Sequence, residues 1–442
     1  MHFDDLNLNS SLLKALDDMG FETPTTIQQK VFSVAMSGRD VCGIAQTGTG
    51  KTFAYLLPIL RQWTFSKDRF PQVLVVVPTR ELVVQVTDAV KQLAKYTNLV
   101  ATGVFGGVNM KPQADAIVNG TDIVVGTPGR MMDLIYNGFL KTKAVKKLVI
   151  DEMDEMLNLG FRVQLDNLFD LLPAKRQNLL FSATITDDVE ALMDTYFNSP
   201  VRIEAAPVGT PLENIEQRAY HVPNFNTKVN LLQLLLEEHE EMDKVLVFVS
   251  TKGFADELFE RMSAVFPEKA GVIHSNKEQN YRFNVVKQFQ EGNFRFIIAT
   301  DIVARGIDIA GVSHVVNFDI PDVPENYIHR IGRTGRADEK GIAISFVTEK
   351  EQADLEKIET LMNYTLPVMP LPGNLELSDV LIEEEIPKVQ MKTFLTKPLS
   401  REGAGAAFHE KSAKNKKVNI KVSHKDKMHE KYGKPKKRGK KK

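Results

Sequence analysis

The sequence predicts an α/β protein with two tandem domains, each a mostly parallel sheet flanked by helices, followed by a disordered basic tail. Three observations carry this. Short apolar runs alternate with helix-length amphipathic segments in two blocks, the pattern of βαβ units with both sheet faces covered. Between the blocks the alternation lapses into "EAAPVGTPLENIE", residues 204–216, whose prolines and glycine read as a linker. After Arg401 the composition turns to Lys, Gly, Ser and Asn with few apolar residues, which cannot build a core.

Taken in order, the first block offers the strands "DVCGIA", "QVLVVVPT", "TDIVVGTP", "KLVIDE" and "QNLLFSAT". The second offers "KVLVFVST", "AGVIHS", "FRFIIATD", "SHVVNF" and "GIAISFVT". The expected boundaries are 1–204 for the first domain, 205–216 for the linker and 217–370 for the second domain. Residues 371–442 form the extension and tail.

Bulk composition is globular, with 442 residues, 43% hydrophobic and 26% charged, and the length suits two domains. A single cysteine, Cys42, excludes an intramolecular disulfide and reads as a small buried hydrophobe. The first residues, "MHFDDLNLNS", lack the basic and apolar blocks of a secretory leader, and no apolar run approaches membrane-spanning length. The expectation is a cytoplasmic protein. The net charge of −1 conceals an asymmetry: residues 401–442 carry 16 Lys and Arg against 4 Asp and Glu, on an acidic body. Such a tail either contacts a polyanion, most simply nucleic acid, or merely solubilises the chain.

The chemistry concentrates at strand ends. "AQTGTGKT", residues 45–52, sits between an apolar strand and an apolar helical run, the setting of a phosphate-binding loop. Gly48 and Gly50 let backbone N–H groups face phosphate. Lys51 would reach the β- and γ-phosphates, and Thr52 would ligate Mg²⁺. The loop departs from the usual pattern in opening with Ala45. "KLVIDEMDEM" puts acids at the end of another strand, where ligands of parallel sheets lie. Asp151 would hold Mg²⁺, and Glu152 is placed to polarise an attacking water.

With these two motifs on the page, the chain resembles a DEAD-box ATP-dependent RNA helicase of superfamily 2 over roughly residues 3–369. Among bacterial branches it looks most like the RhlE type, with Asp-Glu-Met-Asp in place of the usual motif. "GFETPTTIQ" resembles the family's Q motif, which makes Gln28 the adenine reader, Phe21 a base-packing ring and Phe3 the upstream aromatic. Thr47 and Thr49 fall in the nucleotide loop. "PTRELVVQ" (Pro78, Thr79, Arg80), "GG" (Gly107) and "TPGR" (Thr127, Pro128, Gly129, Arg130) resemble RNA-backbone motifs, as do "VFVST" (Thr251) and "QNYR" (Gln279, Arg282). "SAT" implies that Ser182 and Thr184 hydrogen-bond Asp154 and couple hydrolysis to strand separation. "ATDIVARGID" implies Thr300 and Asp301 on RNA and Gly306 and Asp308 on ATP. "HRIGRTGR" implies Arg333 and Arg336 on the γ-phosphate, with His329 linking the catalytic and RNA-bound states.

The resemblance implies RNA-stimulated ATP hydrolysis with Mg²⁺, domain closure and local duplex unwinding by a monomer. RNA would be held through its backbone with little sequence specificity. It brings ribosomal or RNA-decay protein partners as expectations. An ATP-gated RNA clamp with slow hydrolysis is the alternative that Met153 leaves open.

Overall fold

The computed structural model describes residues 2–45, 48–68, 70–204, 214–301, 311–335, 340–382 and 385. These described residues belong to one compact unit, which contains two sheets.

The first sheet has seven strands: β1 (Val41–Ile44), β2 (Val73–Val76), β3 (Ala101–Val104), β4 (Ile123–Gly126), β5 (Lys147–Ile150), β6 (Gln177–Ser182) and β7 (Val201–Glu204). They run in the order 3-4-2-5-6-1-7 and every pairing is parallel. The second has six: β8 (Ile215–His221), β9 (Val245–Val249), β10 (Ala270–Ile273), β11 (Phe296–Thr300), β12 (His314–Asn317) and β13 (Gly341–Val347). These run 10-11-9-12-13-8, again all parallel.

The central strands are buried on both faces, as their continuous Val, Ile and Leu runs require. Alternate residues divide between two cores: Val75 packs with Tyr55 and Phe181 on one side, while Leu74 and Val76 pack with Cys42 on the other. Cys42 is fully buried, and burial pushes its thiol up to about 11, so it is a packing residue.

Strand order fixes the site. β5, β6 and β1 are neighbours, with Val41 opposite Leu179 and Ile150 opposite Leu180. The segments leaving their C-terminal ends are the "DEMD" acids, "SAT" and the phosphate loop, so three motifs distant in sequence meet at one sheet edge. β8 begins at Ile215, inside the stretch read as linker. Residues 371–382 are also built onto the second sheet. Leu371, Leu375 and Ile382 pack on its core, and Asn226 and Asn230 of the helix Phe225–Glu238 donate to the Val380 and Glu376 carbonyls at 2.6 and 2.8 Å.

Candidate active site

The helix Lys51–Gln62 starts where the phosphate loop ends. Gly48 and Gly50 have φ of 85° and 89°, a left-handed conformation that glycine adopts without a Cβ clash. Gly50 has a second constraint, because a Cβ there would lie 2.4 Å from the Gln28 amide nitrogen. Gln28 is buried; its amide donates to the Gly50 carbonyl at 3.1 Å and accepts from the Thr25 N–H at 2.9 Å. An amide has two donors and two acceptor sites, so Gln28 buckles the loop and keeps one of each for a ligand. Lys51 is 7% exposed and its ammonium makes no hydrogen bond. A buried ammonium in that state is costly until an anion completes it. Loop and lysine thus fit a polyphosphate.

The acids follow β5. Asp151 accepts from the Glu152 N–H at 3.0 Å on one oxygen and from the Tyr55 hydroxyl at 3.0 Å on the other. Glu152 holds φ 54° and ψ 53°, strain on the order of 1–3 kcal/mol for a residue with a side chain. Asp154 is the best satisfied. Its Oδ2 accepts from the Ala183 N–H (3.2 Å), the Thr184 N–H (2.9 Å) and the Thr184 hydroxyl (2.8 Å), and its Oδ1 from the Glu155 N–H (3.0 Å). The expected pairing with both hydroxyls needs one correction. Ser182 accepts from the Asp154 backbone N–H at 3.3 Å, capping the helix Met153–Asn158, and does not meet the carboxylate. Met153 is fully buried in the apolar cluster of Ile150, Met156 and Leu165. Asp154 makes its contacts to residues 183 and 184 with Met153 in place.

Burial raises Asp151 and Glu152 above the usual carboxylate range; Lys51 opposes this in both, and Arg333 does so in Glu152. Burial would raise Asp154 as well. There the His329 charge, Lys51 and the Thr184 hydrogen bonds outweigh it and carry the group below its usual value. His329 Nε2 stands 3.8 Å from Asp154 Oδ2. Two carboxylates two residues apart therefore have opposite character, one poised to take a proton and one held ionised.

A cavity of about 870 Å³ opens over these groups. Phe21, Gln28, Lys51, Thr52, Asp151 and Glu152 line it from the first half, and Arg282, Phe283 and Arg333 from the second. Phe21 is 48% exposed and stands edge-on to Phe53 at 5.2 Å. A second space of about 10 Å³ lies among Lys51, Glu152, Asp154, His329 and Arg333, the room of about one water molecule. Among the described residues no group of three or more His, Cys, Asp and Glu forms a metal cage. Thr52 with Asp151 suits Mg²⁺, which uses one or two carboxylates with phosphates and water.

The DEAD/DEAH box helicase family model matches residues 25–192, and the helicase conserved C-terminal domain model matches residues 227–338. The chain is 40% identical to the DEAD-box ATP-dependent RNA helicase CshA of Geobacillus kaustophilus, over 81% of this chain and 76% of the relative. This chain belongs to the DEAD-box helicase family. It is also 37% identical to the ATP-dependent RNA helicase DbpA of Bacillus subtilis, over 85% of this chain and 78% of that one. Among solved structures it is similar to S. cerevisiae Dbp5 bound to RNA and ADP BeF3. The TM-score is 0.76 at 30% identity, covering 83% of this chain and 95% of that one. The helicase Mss116 bound to ssRNA and UDP-BeF gives a TM-score of 0.77 at 27% identity, covering 84% and 80%.

The remaining candidate residues of this DEAD-box helicase lie along the same edges. Thr79 caps the helix Arg80–Leu93 after Pro78, accepting from the Leu82 N–H at 3.3 Å. The Arg80 guanidinium lies directly over Gly107, whose φ is 74°. Thr127 precedes Pro128 and Gly129 at the start of the helix Pro128–Tyr136. Thr251 caps the helix Lys252–Val265, and Thr300 ends β11, buried. Four expected RNA contacts are engaged within the protein. Arg130 donates to the Gln113 side chain at 2.9 Å and the Val108 carbonyl at 2.8 Å. Gln279 and Arg282 both meet Glu81, the former at 2.8 Å. Asp301 pairs with Arg330 through two contacts of 2.5 and 2.7 Å. Buried guanidinium groups need such partners. Thr47, Gly306, Asp308 and Arg336 lie outside the described residues.

Three residues the motifs did not single out matter here: Tyr55, Glu81 and Arg330. Tyr55 sits three and four residues after Thr52 and Lys51, hence on their helix face. Glu81 and Arg330 lie inside recognised motifs, but their partners are remote in sequence.

Proposed function

We propose that this helicase couples RNA-stimulated ATP hydrolysis to closure of its two halves, local unwinding of RNA duplexes and remodelling of RNA–protein complexes. One observation carries the reading: a single cavity is walled by Lys51, Asp151 and Glu152 from one half and Arg333 from the other.

In this reading Phe21 and Gln28 receive the adenine, while residues 47–50 turn N–H groups to the phosphates. Lys51 neutralises the β- and γ-phosphates. Thr52 and Asp151 would hold Mg²⁺, which would neutralise phosphate charge. Glu152, whose carboxylate burial raises above its usual value, would take a proton from an attacking water, for which the small space it shares with Arg333 has room. Arg333 and Arg336 stabilise the charge on the transferred group, and Gly306 and Asp308 complete the nucleotide contacts. Asp154, Ser182, Thr184 and His329 report the catalytic state to the RNA-binding surface. RNA lies along Pro78, Thr79, Arg80, Gly107, residues 127–130, Thr251, Thr300 and Asp301, with Gln279 and Arg282 helping to join the halves through Glu81. Because the site is split, ATP and RNA bind cooperatively and reciprocally.

The finer reading includes a first domain of residues 1–204, a second widened from 217–370 to take in Ile215 and Ile382, a monomer, a cytoplasmic location and ribosomal or RNA-decay partners. The RhlE-type branch rests on the motifs alone. No described helix is long and apolar enough to cross a membrane.

The test is steady-state ATP hydrolysis by the full chain with and without single-stranded RNA, beside Glu152→Gln. Strong stimulation that Glu152→Gln abolishes is expected. Tight ATP and RNA binding without stimulated turnover would replace this reading with the clamp.

A further inference from the structure

We propose that Tyr55 is a positioning residue for the magnesium-binding carboxylate, clamping Asp151 into one orientation through its buried hydroxyl. The proposal rests on the assignment of Asp151 and Thr52 to Mg²⁺ given above.

Tyr55 is fully buried. Its ring packs on Phe181, centroids 5.3 Å apart, in the strand that ends at Ser182. Its helix begins at Lys51, so the same residue stands on the face that carries Lys51 and Thr52. Its hydroxyl donates to Asp151 Oδ2 at 3.0 Å and also meets the Thr52 side chain, so it stands between the two residues assigned to the metal. Tyr55 thus touches three segments at once: the phosphate-loop helix that carries it, the strand leading into "SAT" and the first acid of "DEMD".

The geometry at Asp151 makes this contact more than a satisfied core hydroxyl. The Glu152 N–H already fixes Oδ1 at 3.0 Å. With only that bond, the carboxylate would still swing about it. The Tyr55 hydroxyl fixes the second oxygen, so the plane of the carboxylate is set from both ends. Each oxygen keeps a further acceptor site for a hydrated cation, since an ionised carboxylate has about four. Mg²⁺ demands near-ideal octahedral geometry, so a carboxylate oriented in advance binds it with less reorganisation. Phenylalanine would fill the same space and pack on Phe181 equally well. The hydroxyl is the part that packing does not explain.

The decisive variant is therefore Tyr55→Phe, which removes one oxygen. Affinity of the full chain for a fluorescent ATP analogue is titrated against Mg²⁺, with an EDTA arm. Half-saturating Mg²⁺ rises about 3- to 10-fold, the effect of losing one ordinary hydrogen bond, while affinity in EDTA is unchanged. In an Asp151→Asn background the Tyr55→Phe penalty shrinks to what the Thr52 contact alone supplies, because the hydroxyl acts chiefly through that carboxylate. Equal Mg²⁺ dependence in wild type and Tyr55→Phe overturns the clamp, as does a Tyr55→Phe penalty that persists undiminished with Asn at 151. If wild type shows no Mg²⁺ dependence at all, the metal assignment itself fails, a result distinct from either. Should Tyr55→Phe fail to fold, the hydroxyl is a structural requirement and the positioning role is rejected.

Discussion

Both halves of the molecule bury cations at the edge where their strands end, and they treat them differently. In the first half Lys51 makes no hydrogen bond. In the second, Arg330 holds Asp301 through two contacts and donates to the Asp319 carbonyl at 2.6 Å. Lys228 there pairs with Asp319 and Glu351 at 3.0 and 2.8 Å. Lys51 faces the site's acids without a hydrogen bond, while Arg330 and Lys228 are neutralised by acids of their own half, which presents Arg333 to Glu152 across the cavity. Pairing therefore separates cations that build the fold from those that await a ligand.

That contrast can be broken from either side. The largest effect belongs to Lys51→Ala. It removes the phosphate cation and should weaken ATP binding by 100-fold or more, on the order of 3 kcal/mol, with a smaller loss of thermal stability from the buried acids it offsets. An equilibrium titration beside a melting curve checks both. Asp301→Asn does the reverse. It strands the buried Arg330 guanidinium and should destabilise the second half by about 3–5 kcal/mol; an unchanged melting temperature would contradict this. Next comes Met153→Ala, which opens a void in a fully packed cluster at a cost of about 2–5 kcal/mol. It should leave unwinding per ATP unchanged, since Asp154 already holds Thr184. A severalfold gain in unwinding at constant ATPase would show that Met153 impairs coupling.

The smallest effect is electrostatic. The folded-state pKa of Glu152 lies above its usual 4.5, so the folded protein binds that proton more tightly than the unfolded chain. The stability this proton confers is present at low pH and lost as pH rises through the raised value. At pH 7 Glu152→Gln should therefore melt higher than wild type, because the cost of the buried ionised carboxylate is removed. In the active protein the rate should fall as pH drops through the same raised value, because the base must be ionised. A pH–rate profile with its acid limb at or below 4.5 would contradict that.

The strands that the sequence did not reveal show where such reading stops. β3, β7 and β8 are all edge strands, and β3 and β7 are only half buried. A strand covered on both faces must be apolar throughout and is visible as a run. An edge strand such as "VRIE" needs apolar residues on one side only and blends into its surroundings. The site divides in the same way. Glycines and the loop lysine were legible because backbone curvature and phosphate charge demand those residues at fixed spacing. The partners of Arg130, Arg282 and Asp301 were not, because they come from tertiary contacts as distant as Glu81 to Arg282. Tyr55 was hidden for another reason: on an apolar helix face it looks like core, and its ring is core, while only the hydroxyl reaches the acids.

The most direct test of the split site is Arg333→Gln in the full chain, with single-turnover ATP hydrolysis at saturating RNA measured beside ATP affinity. An arginine that acts on the transferred phosphate from the second half leaves ATP affinity within about threefold and lowers the rate by about 10³–10⁵. Hydrolysis within tenfold of wild type, at RNA and ATP saturation, would mean that the two halves do not complete one catalytic site.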